Sequence, residues 1–274
     1  MPPSEPVLSL QDIALWERWQ KTFAMHARTG SFLRAVDGAK RAAEQALAKS
    51  KTPMLSWSGG KDSTAMTHLV AVGLGARVHV VSEKDDLDYP GEEAYVAELA
   101  ARWRLDIEIV RPPVSPTAWL LERRGALSAG EDVHSRSAGL SKACFYGVME
   151  AANEKHDLVM MGLRAEESAA RKKLRLWRGL NYTMKSGQRR TIPLGDWTGL
   201  DVFAYLQFHG VEPLHVYRCI AFLPEHKVKP WLIRKSWWLP GTHAKNGGVA
   251  WLRHYYPSLW AKLGTFTHDR SSYA

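Results

Sequence analysis

The residues of this sequence best suited to chemistry form a short loop between an apolar run and a helical pattern. The loop reads Ser56-Trp57-Ser58-Gly59-Gly60-Lys61-Asp62-Ser63-Thr64. Two adjacent glycines let the backbone amides fold into a concave anion site, and the helix that follows directs its unpaired amides and positive dipole end at the same place. Hydroxyl groups and a lysine add further donors. A phosphate group is the expected ligand.

Asp62 is the acidic residue of this loop. Its carboxylate is predicted to hold a magnesium ion that bridges phosphate oxygens. The Walker A motif is the competing interpretation. That motif requires a glycine where this chain has Leu55, and a serine or threonine directly after the lysine, where it has Asp62. We therefore reject Walker A.

The elements around the loop alternate between strand and helix patterns. Two amphipathic helices are predicted before it, between residues 10 and 50. The strand patterns cover residues 54–57, 78–81, 107–110 and 158–161, and the later helix patterns cover 62–72, 95–103 and 138–153. This alternation predicts an α/β fold with a doubly wound, mainly parallel sheet. Ligands of such sheets bind beyond the carboxyl ends of the strands, which is where the loop lies.

Composition excludes several classes of protein. The chain has 274 residues and two cysteines, Cys144 and Cys219. Two thiols cannot form a disulfide framework, a four-thiolate zinc site or an ordinary four-cysteine iron-sulfur cluster. The sequence shows no run of 18 apolar residues and no signal peptide pattern, so we expect a cytoplasmic protein with no membrane partner.

The positive charge is concentrated in two segments. Residues 164–190 carry nine basic side chains against two acidic ones, and residues 213–274 carry another nine against two. Such clustering favours either a polyanionic partner or a solvated basic face, and charge alone leaves both open. Aromatic residues lie among the cations in 171–190 and 227–253, as in surfaces that bind single-stranded nucleic acid. Alternatively, these tryptophans pack the C-terminal segment onto the domain.

Three motifs carry a family resemblance. Residues 58–63 (SGGKDS) resemble the SGGxDS pyrophosphate-binding loop (PP-loop) of the adenine nucleotide alpha-hydrolase superfamily of ATP pyrophosphatases. Residues 161–168 (MGLRAEES), with Arg171, are similar to the GxRxxES..R segment of phosphoadenosine phosphosulfate (PAPS) reductases. Residues 193–203 (PLGDWTGLDVF) resemble their PLxDWTxxDVW segment. Their order along the chain also matches.

The resemblance implies a Rossmann-like domain over residues 51–220. An N-terminal helical segment, 1–50, would precede it, and a basic, tryptophan-rich C-terminal extension, 221–274, would follow it. The implied ligands are magnesium and ATP, or PAPS or another adenine nucleotide, with no iron-sulfur cluster. The implied nucleotide-binding residues are Ser56, Ser58, Gly59, Gly60, Lys61, Asp62, Ser63, Thr64, Ser82, Gly162, Arg164 and Arg171.

Within this set, Lys61, Asp62 and Arg164 are predicted to be catalytic, and Asp62 is the predicted metal ligand. Gly162 is expected to let the chain pass close to the nucleotide, because it has no side chain. Arg164 and Arg171 are expected to clamp phosphate or sulfate oxygens. We expect their acidic neighbours, Glu166 and Glu167, to orient these arginines.

The third motif is expected to begin a helix. Asp196 or Thr198 is suited to cap it, because their side chains accept orphan amide hydrogens, and capping is the role we predict for Asp196. Phe203 and Leu206 are predicted core residues of that helix.

Departures from the reductase pattern decide the predicted function. A PAPS reductase attacks sulfur with a cysteine of a C-terminal segment, but this chain has no cysteine after Cys219. Cys144 lies in an apolar helical pattern typical of a buried residue. Cys219, beside Arg218, is the better candidate for a reactive thiol.

The chemistry expected of the superfamily is then adenylation. ATP is cleaved between its alpha and beta phosphates, pyrophosphate leaves, and AMP passes to an acceptor oxygen, which a sulfur-donor partner protein can then attack. Nucleic acid is one acceptor considered. Two alternatives stay open: a sulfonucleotide reductase-like enzyme that uses an unusual or partner thiol, and a nucleic-acid-binding adaptor with a vestigial nucleotide pocket.

Overall fold

A computed structural model of the chain describes residues 6–122, 154–223, 229–233 and 249–264. The helices are α1 Leu10–His26, α2 Gly30–Leu47, α3 Lys61–Thr67, α4 Glu92–Trp103, α5 Pro116–Glu122, α6 Ala169–Arg178, α7 Gly199–Phe208, α8 Val249–Tyr255 and α9 Pro257–Gly264. The strands are β1 Pro53–Ser56, β2 His79–Glu83, β3 Ile107–Val110, β4 Leu158–Met161, β5 Asn181–Thr183 and β6 Arg189–Thr191. The helix predicted at 138–153, with Cys144, lies outside the described residues.

The strands form one sheet in the order β3-β2-β1-β4-β6-β5. All pairs are parallel except the β5–β6 hairpin at one edge. This confirms the predicted α/β fold with a mainly parallel sheet. The strand order turns in opposite directions on the two sides of the β1–β4 pair, which therefore marks the switch point where ligands of such sheets bind. Ser56 is paired with Met161, so β1 and β4 end level with each other.

The β5–β6 hairpin was not predicted from the sequence. Its strands are three residues each and consist mostly of polar side chains, so they show no apolar run. Strand β6 is held by its parallel ladder with β4, and Thr191 Oγ1 donates to Asn181 Oδ1 at 2.5 Å across the hairpin. These two short segments therefore form strands because they pair with other strands, and not because of a local sequence pattern.

Of the two residues suited to cap helix α7, Thr198 takes that role and Asp196 does not. Thr198 is its N-cap and forms a capping box with Asp201, whose Oδ2 accepts from the Thr198 amide at 2.7 Å. Asp196 instead binds the Arg175 guanidinium through both oxygens, each at 2.7 Å. The predicted capping role of Asp196 is therefore wrong, because this carboxylate lies two residues too early and faces α6. Phe203 and Leu206 are buried, as expected.

One hydrophobic cluster joins the two end segments to the sheet. Phe23 of α1, Leu55 of β1, Phe203 of α7 and Trp251 of α8 all belong to it. Trp251 is fully buried and donates from Nε1 to the carbonyl of Cys219 at 2.6 Å. Trp251 therefore has no face for a nucleic-acid base, and this part of the surface predicted at 227–253 is corrected to core packing. The domain boundaries themselves stay a prediction.

Within the described ranges, no helix has the length and apolar character needed to cross a membrane.

Candidate active site at the carboxyl ends of β1 and β4

The loop between β1 and α3 is shaped by two glycines and two serines. Gly59 has a φ of +78°, a conformation that favours glycine, and a Cβ there would lie 3.0 Å from a Val96 methyl carbon. The Ser58 and Ser63 hydroxyls lie 3.0 Å apart, and the Ser58 amide donates to Ser63 Oγ at 3.2 Å. Gly60 is the N-cap of α3. The predicted loop thus places the start of a helix at the switch point.

Thr64 has a structural partner. It is fully buried, and its Oγ1 accepts from the indole nitrogen of Trp57 at 3.0 Å. In this arrangement Thr64 holds Trp57 in the core and does not line the loop. Ser56, at the end of β1, is half-buried.

Asp62 connects the loop to the segment after β4. Its Oδ2 accepts from Lys61 Nζ at 2.8 Å, and its Oδ1 accepts from Arg164 Nε at 2.5 Å. Arg164 in turn donates to Glu166 at 2.5 Å, and Glu166 accepts from the Gly199 amide at 2.6 Å. We call these four charged residues, Lys61, Asp62, Arg164 and Glu166, the Asp62 cluster. The cluster brings all three predicted catalytic residues together.

Burial and the neighbouring charges shift the pKa of Asp62 in opposite directions. Burial alone raises the pKa of Asp62, but the neighbouring charges of Lys61 and Arg164 outweigh it and lower the pKa of that carboxyl below its ordinary value. Lys61 and Arg164 are only 2% and 1% exposed. The two cations therefore depend on Asp62 and Glu166 for neutralisation while no phosphate is present.

Gly162 has a role that differs from the prediction. A Cβ on Gly162 would lie 2.8 Å from backbone atoms of Asp62 and Ser63. The absence of a side chain is therefore needed for the end of β4 to approach the first turn of α3. The sequence indicated a close approach at this glycine, but the approaching partner in the structure is the loop itself.

Arg171 lies in the first turn of α6. It pairs with Glu167 at the start of α6. The expected pairing of Glu167 with Arg171 is present, and the joint clamp of Arg164 and Arg171 on an anion stays a prediction.

Ser82, at the end of β2, lies beside a buried ion pair. Its side chain is fully buried, and its hydroxyl has no hydrogen-bond partner among the described residues. Two residues later, Lys84 Nζ donates to Glu92 at 2.6 Å, and both side chains are buried. A Cβ on Gly59 would lie 3.2 Å from Glu92 Cγ, so the side chain of Glu92 packs directly against the loop. A cation directly after a buried strand was the signal by which Lys84 could have been found.

Tyr217 contacts the loop between β1 and α3, and it was not predicted from the sequence. It is buried in the short helical turn His215–Arg218, and its hydroxyl accepts from the Lys61 amide at 3.0 Å. The Lys61 ammonium also lies 5.4 Å from the centroid of the Tyr217 ring. Tyr217 thus satisfies one of the orphan amides of α3 and positions Lys61.

The chain is similar to several known proteins. Residues 52–219 match the phosphoadenosine phosphosulfate reductase domain family. The chain belongs to this family. It is 26% identical over 192 residues to sulfate adenylyltransferase subunit 2 of Burkholderia lata, an alignment that spans 63% of each chain. The chain therefore spans less than two thirds of the length of this relative.

Two solved structures are similar to this chain. PAPS reductase from Candida auris, solved as a phosphate complex, superimposes with a TM-score of 0.50 at 15% identity over 77% of this chain and 92% of that one. The NH3-dependent NAD synthetase of Campylobacter jejuni gives a TM-score of 0.46 at 15% identity over 88% and 94% of the two chains. The family match confirms the predicted resemblance to the PAPS reductase family. The chain is an enzyme of the PAPS reductase family.

The predicted magnesium ligand does not form a ready metal site. Both oxygens of Asp62 accept hydrogen bonds from cationic side chains. In the described ranges, no group of three or more His, Cys, Asp or Glu side chains is arranged to hold a metal. Because a divalent cation needs free oxygen ligands, this arrangement of Asp62 does not fit magnesium.

Cys219 does not resemble the reactive cysteine expected of the family's reductases. Its side chain is fully buried, and its thiol lies 3.9 Å from the carbonyl oxygen of His215. Burial, together with the charge of Asp12, raises the pKa of the Cys219 thiol well above its usual range. Reactive thiols need the opposite environment, with low pKa and exposure. The interpretation of Cys219 as a reactive thiol is thus not supported by its surroundings.

Proposed function

We propose that this enzyme cleaves ATP between the alpha and beta phosphates and transfers AMP to an acceptor oxygen, with release of pyrophosphate. The observation that carries the proposal is the Asp62 cluster at the β1–β4 switch point. It places two buried cations beside a helix start, at the position where sheets of this type bind ligands. Such a transfer needs positioning and charge neutralisation more than a general base.

Lys61 and Arg164 would neutralise the phosphate charges of ATP by exchanging their carboxylate partners for phosphate oxygens. Lys61 and Arg164 are each held by carboxylates, so the four charges of the cluster sum to zero. An entering polyphosphate can replace the carboxylates as partner of these cations, while the loop amides donate to the same oxygens. Asp62 therefore acts as a positioning residue that keeps Lys61 and Arg164 directed at the loop. ATP brings magnesium only as its counter-ion in this proposal.

The acceptor is proposed to be an oxyanion. The relative in Burkholderia is named as a sulfate adenylyltransferase subunit, which supports sulfate as the first acceptor to test. Its name also supports a second subunit as partner of this chain. Where the acceptor is instead an oxygen of an organic molecule such as nucleic acid, a sulfur-donor protein is the proposed partner: its sulfur attacks the carbon that bears the adenylated oxygen, and AMP leaves. The described residues contain one cysteine, the buried Cys219, so that sulfur is proposed to come from the partner.

The test is pyrophosphate release by the full chain with ATP, magnesium and sulfate. Asp62→Asn should reduce the rate by about a hundredfold or more, because it frees two buried cations from their positions. Asp196→Asn is the matched control, since Asp196 also binds an arginine but is exposed and lies between β6 and α7. Equal rates in the parent and Asp62→Asn, with and without acceptors, would contradict the proposal.

A sulfonucleotide reductase is the second candidate, and the family name favours it. It requires a thiol from a partner or a reductant, because Cys219 is buried. Incubation of the chain with PAPS and a dithiol, followed by measurement of sulfite, separates the two. Sulfite formation without pyrophosphate release from ATP would replace adenylyl transfer by reduction.

A further inference from the structure

Helix α6 and the β5–β6 hairpin share a strongly basic surface. Four of the nine basic side chains between 164 and 190 are paired with carboxylates: Arg164, Arg171, Arg175 and Arg189. Five have no carboxylate partner among the described residues: Lys172, Lys173, Arg178, Lys185 and Arg190. We call these five, with Trp177, the α6–hairpin surface. More than half of the segment's positive charge is thus left for an external partner.

This surface also presents an aromatic ring to solvent. Trp177 is 76% exposed and the adjacent Leu176 is 71% exposed. Lys173 Nζ lies 4.2 Å from the centroid of the Trp177 ring. A solvent-exposed tryptophan flanked by cations is the arrangement on which a base can stack while its phosphates are neutralised.

A cavity continues the surface towards the sheet. It has a volume of about 470 Å³, within the range of small-ligand sites, and its lining includes Lys49, Tyr182 and Arg190. Arg178 joins α6 to this region, because its Nη1 donates to the Thr183 carbonyl at 3.0 Å. The cavity therefore offers a ring and two cations directly beside the α6 cations.

The cavity and the Asp62 cluster lie at opposite ends of the sheet. Leu158 and Arg189, the first residues of β4 and β6, both line the cavity. The loop of residues 58–63, in contrast, lies beyond the last residue of β1. A ligand in the cavity is thus not the nucleotide of the loop. The charge and aromatic pattern of this second region needs its own explanation.

We propose that the α6–hairpin surface binds a single-stranded nucleic acid, with its phosphates on the five cations, one base on Trp177 and another in the cavity beside Tyr182. Cations alone would suit any polyanion, but the exposed ring and the base-sized cavity favour nucleic acid over an acidic protein. This proposal does not depend on adenylyl transfer, because the surface contains none of the Asp62 cluster.

The contribution of the cations to nucleic-acid binding is tested with the full chain in the absence of ATP. Binding of a labelled oligothymidylate is measured by fluorescence anisotropy. The triple variant Lys172→Glu, Lys173→Glu, Arg178→Glu should weaken binding at least about tenfold and reduce the slope of log affinity against log salt by about 2. The triple variant Lys21→Glu, Arg28→Glu, Arg77→Glu has the same net charge, with its changes at exposed positions outside the surface. It should keep the salt slope of the parent.

The ring is tested separately. Trp177→Ala should weaken oligothymidylate binding about fivefold or more, because one stacked base is lost. Phe208→Ala is the matched control, since Phe208 is a 67% exposed aromatic at the end of α7. Lys49→Gln with Arg190→Gln tests the cavity and should weaken binding at least about threefold.

Three results would overturn the proposal. The first is absence of oligothymidylate binding by the parent chain at low salt. The second is equal weakening by the Lys172 triple variant and its matched control. The third is unchanged binding in Trp177→Ala together with equally tight binding of poly-L-glutamate, which would assign the surface to acidic proteins.

Discussion

Asp62 holds the loop through two cations that come from different parts of the chain. Lys61 is its neighbour, whereas Arg164 follows β4, 102 positions away. Each cation is buried, so removal of this carboxylate takes one counter-charge away from both in a region of low dielectric. At this scale the site is a set of exchangeable ion pairs, and its chemistry depends on which anion the two cations contact.

The environment of Cys219 leads to a prediction on reactivity. In a Cys144→Ser variant, we expect the remaining thiol to react with an aromatic disulfide reagent only when the protein unfolds. The reason is that burial excludes the reagent and raises the pKa of the Cys219 thiol, so little thiolate is present. The measurement is the reaction rate in buffer and in denaturant.

The double variant Cys144→Ser, Cys219→Ser provides the blank for this experiment. Rapid reaction of Cys219 in the folded protein would show that the thiol becomes accessible. That result would restore it as a candidate for reductase chemistry.

The end of strand β4 and the first turn of helix α3 come close together at Gly162. Gly162 faces the backbone of the first turn of α3, and neither side of this contact has a flexible side chain that can move away. The loop geometry is therefore set by how β1 and β4 pair, since Ser56 and Met161 are register partners. At this scale one glycine decides whether loop and strand end fit together.

Gly162→Ala should destabilise the protein and weaken nucleotide binding. The added methyl group would lie 2.8 Å from backbone atoms, so the strand end must shift away from α3, at a cost of about 1 to 3 kcal/mol in the free energy of unfolding. Urea unfolding and ATP titration measure the two effects.

Gly38→Ala is the matched control for that substitution. Gly38 lies within α2, and a Cβ there meets no atom within 4 Å. This change should raise the free energy of unfolding by about 0.5 to 1 kcal/mol, because alanine has the higher helix propensity. Equal stabilities of the two variants would show that the Gly162 contact is relaxed in solution.

Asp12 ties together segments from both ends of the described chain. Its Oδ1 accepts from the Ile220 amide at 2.9 Å, the Ala221 amide at 2.7 Å and the Tyr255 hydroxyl at 2.7 Å. The carboxylate is fully buried on α1. Because the same segment carries Tyr217, which accepts from the loop, the N-terminal helix, α8 and the active site share one support.

Asp12→Asn should lower the free energy of unfolding by about 2 to 3 kcal/mol at neutral pH, since hydrogen bonds to a charged acceptor are lost. Burial raises the pKa of Asp12, but its hydrogen bonds from Ser9, Ala221 and Tyr255 lower it below the ordinary value of 3.8 overall. The carboxylate's stabilisation is therefore present above that value and disappears as pH falls through the lower folded pKa.

The measurement is urea unfolding of both proteins as a function of pH. Their difference in unfolding free energy should narrow as the solution becomes more acidic than the ordinary Asp value. Asp106→Asn, at an exposed position before β3, controls for the loss of a surface carboxylate. A difference that stays constant with pH would contradict the assigned role of Asp12.

The sequence by itself determined the local features of this protein. Residues 58–63 identify the phosphate loop because its glycines, hydroxyls and lysine act within a few positions of one another. Strands β3 and β4 were predicted at their observed bounds, since each is a short run rich in apolar residues. Strand β4 is largely buried, whereas β3 is a partly exposed strand at the edge of the sheet. The family followed from three motifs and was confirmed by the match over residues 52–219.

Only the tertiary structure decided which side chains meet. Tyr217 lies 156 positions from Lys61, and no spacing rule predicts a contact over that distance. The same holds for the buried position of Trp251, the pairing of Asp196 with Arg175 and the parallel ladder of β6. These features depend on packing between elements that are far apart in the chain, whereas sequence patterns report only neighbours within one or two turns.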